Sequence, residues 1–202
     1  MTKTILLASI IVCSVLLGGT LYDNAFAALN AYVQIDGEIG ESQDKDHKGW
    51  SDLQSFSWGA TTPQDKHGKL SGKRSLTEAT VVKPIDKTTP KIMEKICQGK
   101  KCTTTDMTVD ICRTVADGNG AEVQQCYLQY ELKNVQIVRY RINLAIAPMG
   151  IGELVGPMDI QPTESFALNF EKIIVTYTPY DDKGNAATPI VGFYDKYNKA
   201  AD

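Results

Sequence analysis

Five cysteines, two histidines and a few short acidic loops are the residues of this 202-residue chain whose types and spacing could do chemistry. Cys97 and Cys102 stand as Cys-x4-Cys, followed by Cys112 and Cys126. Thiolates combine with imidazole to hold zinc, but His47 and His67 lie far from these cysteines in sequence. No Cys-x2-Cys pair is present to complete a zinc set. Asp44, Asp46 and His47 crowd one loop, and Asp65 and His67 another. Asp44-x-Asp46-x-x-Gly49 lacks the third ligand, the correctly placed glycine and the distal glutamate of a calcium loop, so a solvated loop is expected. Gly150, Gly152 and Gly156 have neither the spacing nor the strand-then-helix context of a dinucleotide fingerprint and are expected to form a flexible loop. Gly-x-Ser-x-Gly, His-Glu-x-x-His and phosphate-loop motifs are absent from the chain. The expectation is a non-enzymatic protein with no catalytic residue, no cofactor and no metal.

The redox compartment decides what the cysteines do, and the front of the chain speaks to it. Lys3 precedes an apolar run over 5–17, and Ala25 and Ala27 supply small residues where a signal peptidase reads. The run is shorter than the roughly 20 residues that cross a bilayer as a helix. Residues 1–27 are therefore expected to be a secretory signal peptide, with an uncleaved anchor as the alternative. Residues 28–202 then form the mature protein, secreted or periplasmic. In such a compartment the four cysteines after Cys13 suggest two disulfides, with three connectivities open.

Composition narrows the partners. Lys and Arg number 21 against 24 Asp and Glu, for a net charge of −3. The front end carries one charge of each sign, Lys3 and Asp23, so its removal leaves that balance unchanged. Such a chain has no electrostatic footprint for nucleic acid or an anionic membrane. No second apolar stretch is long enough to span a bilayer, so no stable membrane insertion is expected after cleavage. The remaining length suits a single domain with a real core.

The elements that must position these residues are mostly strands. Residues 31–35 alternate and stop at Asp36-Gly37; 38–49 form a charged loop; 52–58 alternate again; 61–69 form a polar loop; 70–82 suggest a thinly apolar strand. One helix stands out: Thr89 as cap, Pro90 in the first turn, Gly99 as stop, and Ile92, Met93, Ile96 and Cys97 on one face. About three turns are expected, with Lys91, Glu94 and Lys95 pointing away. Residues 105–115 and 121–140 make a long hairpin around Asp117-Gly118-Asn119-Gly120.

The buried parity switches from Leu128, Tyr130 and Leu132 to Val135 and Ile137, which places a bulge or corner near Asn134. A second switch falls between Leu168 and Phe170 on one side and Ile173, Val175 and Tyr177 on the other. Lys183-Gly184-Asn185 then turns the chain into a last strand over 190–194. Bending strands of this kind build a small β-barrel or a two-sheet sandwich. Within the hairpin Cys112 and Cys126 lie symmetrically about Asn119, so a ladder turning there sets them opposite each other. Cys112–Cys126 is the expected bridge, which leaves Cys97 and Cys102 to join each other.

Several segments resemble the Hcp family, the tube protein of type VI secretion systems. Tyr32-Val33-Gln34-Ile35-Asp36-Gly37, then Gly40-Glu41-Ser42, Asp44 and His47, resembles the family's opening. Ser55-Phe56-Ser57-Trp58-Gly59 is similar to its second strand. Lys83, Asp86, Thr89, Pro90 and Gly99 match its Lys-x-x-Asp, Ser/Thr-Pro and helix-then-Gly segment. Leu168-Asn169-Phe170-Glu171-Lys172-Ile173, with Tyr177, Thr178, Pro179 and Gly184, is similar to its penultimate strand and turn.

The resemblance runs over about 31–195. It implies a mainly β fold, a small barrel of two sheets with one flanking helix. It also implies a homo-oligomeric ring, a hexamer, whose rings stack into a tube and meet secreted cargo or tube-capping proteins. A secreted monomeric binding module on the same barrel is the alternative function. Two features depart from the family pattern: the signal peptide and a longer, more apolar 141–163 segment. That segment is either an added strand or flap, or a contact surface between subunits, with Ile146 and Leu154 as candidate interface residues.

Overall fold

The computed structural model describes residues 29–70, 75–97, 103–116, 121–144, 161–181 and 183–196. In chain order the elements are β1 (Leu29–Ile35), β2 (Ser51–Asp52), β3 (Ser55–Ser57), β4 (Ala60–Thr61), β5 (Ser75–Leu76), β6 (Ala79–Pro84), α1 (Thr89–Glu94), β7 (Thr105–Ala116), β8 (Glu122–Asn143), β9 (Thr163–Asn169), β10 (Lys172–Tyr177) and β11 (Ile190–Asp195). Among the described residues the class is mainly β with one short flanking helix, as expected.

Nine strands join in one hydrogen-bonded path, β2-β1-β7-β8-β9-β6-β3, with β10 beside β8 and β11 beyond β10. The small pair β4-β5 stands apart from it. The path folds into two layers because β8 belongs to both. Its first half pairs with β7 and β10, and from Gln136 onward it pairs with β9. The corner is at Asn134, where φ is +54°. Asparagine tolerates this left-handed conformation better than most residues. Its backbone N–H donates to Asp106 Oδ1 at 3.0 Å and its side-chain amide to Glu171 Oε2 at 2.7 Å. Glu171 belongs to the second parity switch, where the chain leaves β9 in one layer and enters β10 in the other. Both expected corners therefore occur, and they brace each other.

Six local expectations need correction. The alternating run over 52–58 is not one strand. Its ends pair with different neighbours, β2 with β1 and β3 with β6, and Leu53 and Gln54 carry the chain across. The segment 70–82 is also divided, into β5 and β6, with 71–74 outside the described residues. The helix is six residues long, and its cap position is Thr88, with no side-chain capping bond. Thr89 instead turns inward and donates to Glu164. Of the expected apolar face only Ile92 is fully buried, while Met93 is 49% exposed. A helix this short is held by tertiary contacts, since local propensity cannot sustain it. Cys97 N–H donates to the Ile137 carbonyl at 3.0 Å, and Lys95 pairs with Glu38 at 3.1 Å, so Lys95 does not simply face solvent.

The core lies between the layers. Val33 and Ile35 of β1, Met107 and Val109 of β7 and Leu132 of β8 face Val81 of β6, Phe166 and Leu168 of β9 and Ile92 of α1. Strict alternation in β6 sends Ala79, Val81 and also Lys83 inward, and β9 sends Glu164, Phe166 and Leu168 inward. Two ionisable residues thus join the core rows by parity alone. Among the described residues no helix is long and apolar enough to cross a membrane.

Candidate functional site

The loop after β1 is not the solvated loop expected from its composition. Gly40 makes it possible, because a Cβ there would overlap the Trp50 carbonyl. Gly40 N–H donates to the Gly49 carbonyl at 2.6 Å and Ser42 N–H to the Trp50 carbonyl at 2.8 Å, closing the loop on itself. The closure drives His47 inward until it is 3% exposed. Its ring stacks on Tyr32 at 4.1 Å and meets the edge of Trp50 at 4.9 Å. Nδ1 lies 2.8 Å from Asp44 Oδ1, and Nε2 lies 3.0 Å from Asp110 Oδ2 on β7. Burial alone would raise the Asp44 pKa. Hydrogen bonds from the His47 ring and from the backbone N–H groups of Asp46 and His47 outweigh it and hold the carboxyl below its ordinary range. Asp65, by contrast, stays in an exposed turn, accepting from the N–H groups of His67 and Lys69.

A second buried polar cluster holds the helix. Lys83 Nζ donates to Glu164 Oε1 at 2.7 Å, Asp86 Oδ1 at 2.8 Å and the Pro84 carbonyl at 2.9 Å. These are all three donors that an ammonium has. Glu164 also accepts from Thr89 at 2.9 Å and from the Tyr140 hydroxyl at 2.6 Å. Burial and then the adjacent Glu164 carboxylate raise the Tyr140 pKa, so Tyr140 remains a donor. Asp86 further accepts from Ser51 at 2.6 Å and from the backbone and hydroxyl of Thr88. Burial opposes its ionisation, but the bonds from Lys83, Ser51 and Thr88 together lower its pKa. Every member is paired, the condition under which a buried polar network holds its elements in one arrangement. Sequence reasoning missed the cluster as a unit. The available signal was Lys83 on the apolar parity of Ala79 and Val81, and Glu164 on that of Phe166 and Leu168.

The expected bridge between Cys112 and Cys126 is present, across the β7–β8 ladder. Cys97 is disulfide-bonded as well, while Cys102, its expected partner, lies outside the described residues. Ile146 and Leu154 also lie outside them, as do the glycines at 150, 152 and 156 and the hairpin turn at 117–120. The fold thus unites His47 with Asp110 and Cys126, residues that no local spacing connects.

The surface offers a feature that the sequence did not single out. In β11, Ile190, Val191 and Phe193 are 65%, 61% and 68% exposed. Among the described residues this strand has one neighbour, β10, against which Ile190 pairs with Tyr177. Gly184, with φ of +83°, makes the turn that returns the chain to this edge. Phe193 is crossed by Lys172 Nζ at 5.1 Å. Ile142 and Leu144, at the end of β8 where the apolar 141–163 segment begins, are exposed too.

This fold is similar to that of solved type VI secretion proteins. A structure described as a type six secretion system protein matches with a TM-score of 0.65 at 22% identity, covering 83% of this chain and 96% of that one. Hcp1 of E. coli EAEC 042, in a mutant form, matches with a TM-score of 0.59 at 21% identity over 85% and 99%. The secreted protein Hcp3 of Pseudomonas aeruginosa matches with a TM-score of 0.53 at 17% identity over 85% and 100%. No curated protein sequence matches this chain. The family model for the type VI secretion system effector Hcp matches residues 32–177. The chain belongs to the Hcp family.

Proposed function

We propose that this chain is an exported, non-enzymatic structural protein of the Hcp type, whose copies self-assemble into six-membered rings that stack into a tube. The observation that carries the proposal is β11. Among the described residues β11 has β10 as its one strand neighbour and holds Ile190, Val191 and Phe193 exposed, and an apolar surface of this kind is an aggregation hazard unless another surface covers it. A second copy is the covering surface that a family of ring-forming proteins suggests. A ring is a closed head-to-tail arrangement, so the β11 edge must meet a different face of the next subunit. The 141–163 segment, with Ile146 and Leu154, extends the contact. Removal of residues 1–27 delivers the subunit beyond the cytoplasm, where secreted cargo or tube-capping proteins are its further partners.

The two buried clusters support this reading. A ring subunit needs rigid faces, and the clusters lock the loop after β1 and the helix onto the sheets. Sedimentation velocity and electron microscopy of the purified protein at micromolar concentration test the proposal. Ring-sized particles are expected. A strict monomer across the accessible concentration range transfers the case to a monomeric binding module, whose ligand would occupy the open polar cleft of about 400 Å³ between Tyr32, Asp44 and Asp52.

A further inference from the structure

The His47 ring faces the Cys112–Cys126 bridge as well as its two carboxylates. Nε2 lies 3.9 Å from Cys126 Sγ, and Nε2 and the two sulfurs all fall within 4.8 Å of one another. Asp110 Oδ2 is 3.0 Å from the same nitrogen, while Asp110 Oδ1 is held by the Gln129 amide at 2.9 Å. We propose that reduction of this bridge converts the cluster into a closed zinc site, with Cys112, Cys126, His47 and Asp110 as the four ligands.

The geometry favours zinc in three respects. With Zn–S near 2.3 Å and Zn–N or Zn–O near 2.0–2.2 Å, tetrahedral ligands stand about 3.3–3.8 Å apart. The observed 3.9 Å and 3.0 Å separations need only small adjustments, while the two sulfurs, bonded to each other in the bridge, must part to the upper end of that range. Second, Asp44 Oδ1 is placed to accept from Nδ1–H, which leaves Nε2 as the ligand atom. A carboxylate behind the ligating imidazole is the usual outer-shell arrangement of a histidine–zinc site. Third, Tyr32 and Trp50 hold the ring plane, and Cys112 and His47 are 0% and 3% exposed. Asp110 is buried as well, and Cys126 is partly buried. Thiolate and imidazole donors together select zinc over magnesium or calcium.

The bridge gates the site. A pair of thiols, or a phosphine together with water, supplies two electrons and two protons. The S–S bond breaks, Cys112 and Cys126 become thiols, and the reductant leaves as a disulfide or a phosphine oxide. Zinc then displaces the two thiol protons and any proton on Nε2 into solvent. In the oxidised protein the sulfurs are bonded to each other and the site cannot form. This inference does not depend on the assembly reading.

The test uses the full chain carrying Cys13→Ser, Cys97→Ser and Cys102→Ser, so that Cys112 and Cys126 are its only thiols. After phosphine reduction, one Co²⁺ per chain should bind with thiolate-to-cobalt charge-transfer and tetrahedral visible bands, and Zn²⁺ should displace it. The oxidised chain should show neither band. Asp44→Asn, which alters the group behind the His47 ring and not a ligand, should weaken Zn²⁺ affinity about 10–100-fold, and His47→Gln at least as much. Thermal unfolding covers loss of fold on reduction. Zn²⁺ should raise the melting temperature of the reduced chain, or refold it, and leave the oxidised chain unmoved. A reduced chain with no cobalt–thiolate band and no zinc-dependent shift overturns the proposal. So does a His47→Gln variant that binds as tightly as its parent.

Discussion

Lys83 and Glu164 face each other across the β6–β9 ladder with both side chains wholly excluded from solvent and Nζ 2.7 Å from Oε1. Removing one partner strands a buried charge, which costs about 3–5 kcal/mol. Lys83→Met should lower unfolding stability by that amount in a denaturant titration. Lys83→Met combined with Glu164→Gln should lose clearly less than the sum of the single losses, because the stranded charge is gone. Strictly additive losses would show that the pair is not coupled.

Acid should weaken the same cluster through Asp86. Its pKa is lowered in the folded protein by Lys83, Ser51 and Thr88, while in the unfolded chain it titrates near the ordinary aspartate value of about 3.9. A depressed folded pKa stabilises the fold at pH above the unfolded value. That contribution is lost as pH falls through the lower folded value. Stability measured from pH 6 downward should fall on a steep acid limb, and Asp86→Asn should flatten that limb while lowering the plateau. An unchanged limb in the variant would remove Asp86 from the account.

The Cys112–Cys126 bridge has a sequence separation of 14. Closing a loop of roughly 15 residues stabilises by about 3 kcal/mol in the chain-entropy account. The double change Cys112→Ser, Cys126→Ser should cost on the order of 2–3 kcal/mol and leave the fold intact. Peptide mapping without reductant should recover Cys112 joined to Cys126 and Cys97 joined to Cys102. A Cys97–Cys126 peptide would refute the pairing.

Two surfaces are offered for assembly, and they can be separated. Val191→Lys with Phe193→Glu places charges on the exposed edge of β11, and Ile146→Glu with Leu154→Lys does the same in the 141–163 segment. A specific subunit contact covers roughly 1,000 Å² or more and excludes unpaired charge. Each pair should therefore shift sedimentation from ring toward monomer with an unchanged circular dichroism spectrum. If only the β11 pair does so, the 141–163 segment is a flap and not a contact.

Export should leave a new N-terminus. Intact-mass measurement of the protein recovered outside the cytoplasm should give a chain beginning at or near Ala28. A chain beginning at Met1 and held on membranes would favour the uncleaved anchor.

Much of the scaffold was legible because its signals are local. Asn134 and the segment around Phe170 announce their corners by a change in which alternate residues are apolar. A strand cannot bury both parities against one layer, so it must bend there. Cys112 and Cys126 find each other by simple counting from the Asp117–Gly120 turn, since a hairpin's register follows from where it turns. The helix was legible in place but not in length: its cap and proline mark a start, whereas its extent depends on packing beneath Ile92. Division of 52–58 between two layers also escaped notice, because the pairing partners β1 and β6 are distant in sequence.

The anchor sites were illegible for the same reason. Asp44 and His47 look like solvated loop residues until β7 brings Asp110 to 3.0 Å from the ring. Lys83, Asp86 and Thr89 stand out only as a motif match until β9 sets Glu164 opposite the lysine. The sequence by itself determined the β class, the corners and the first disulfide, each governed by alternation or by short chain distance. Only the tertiary structure decided which charges are buried, because burial of a charge requires a partner contributed by a remote strand.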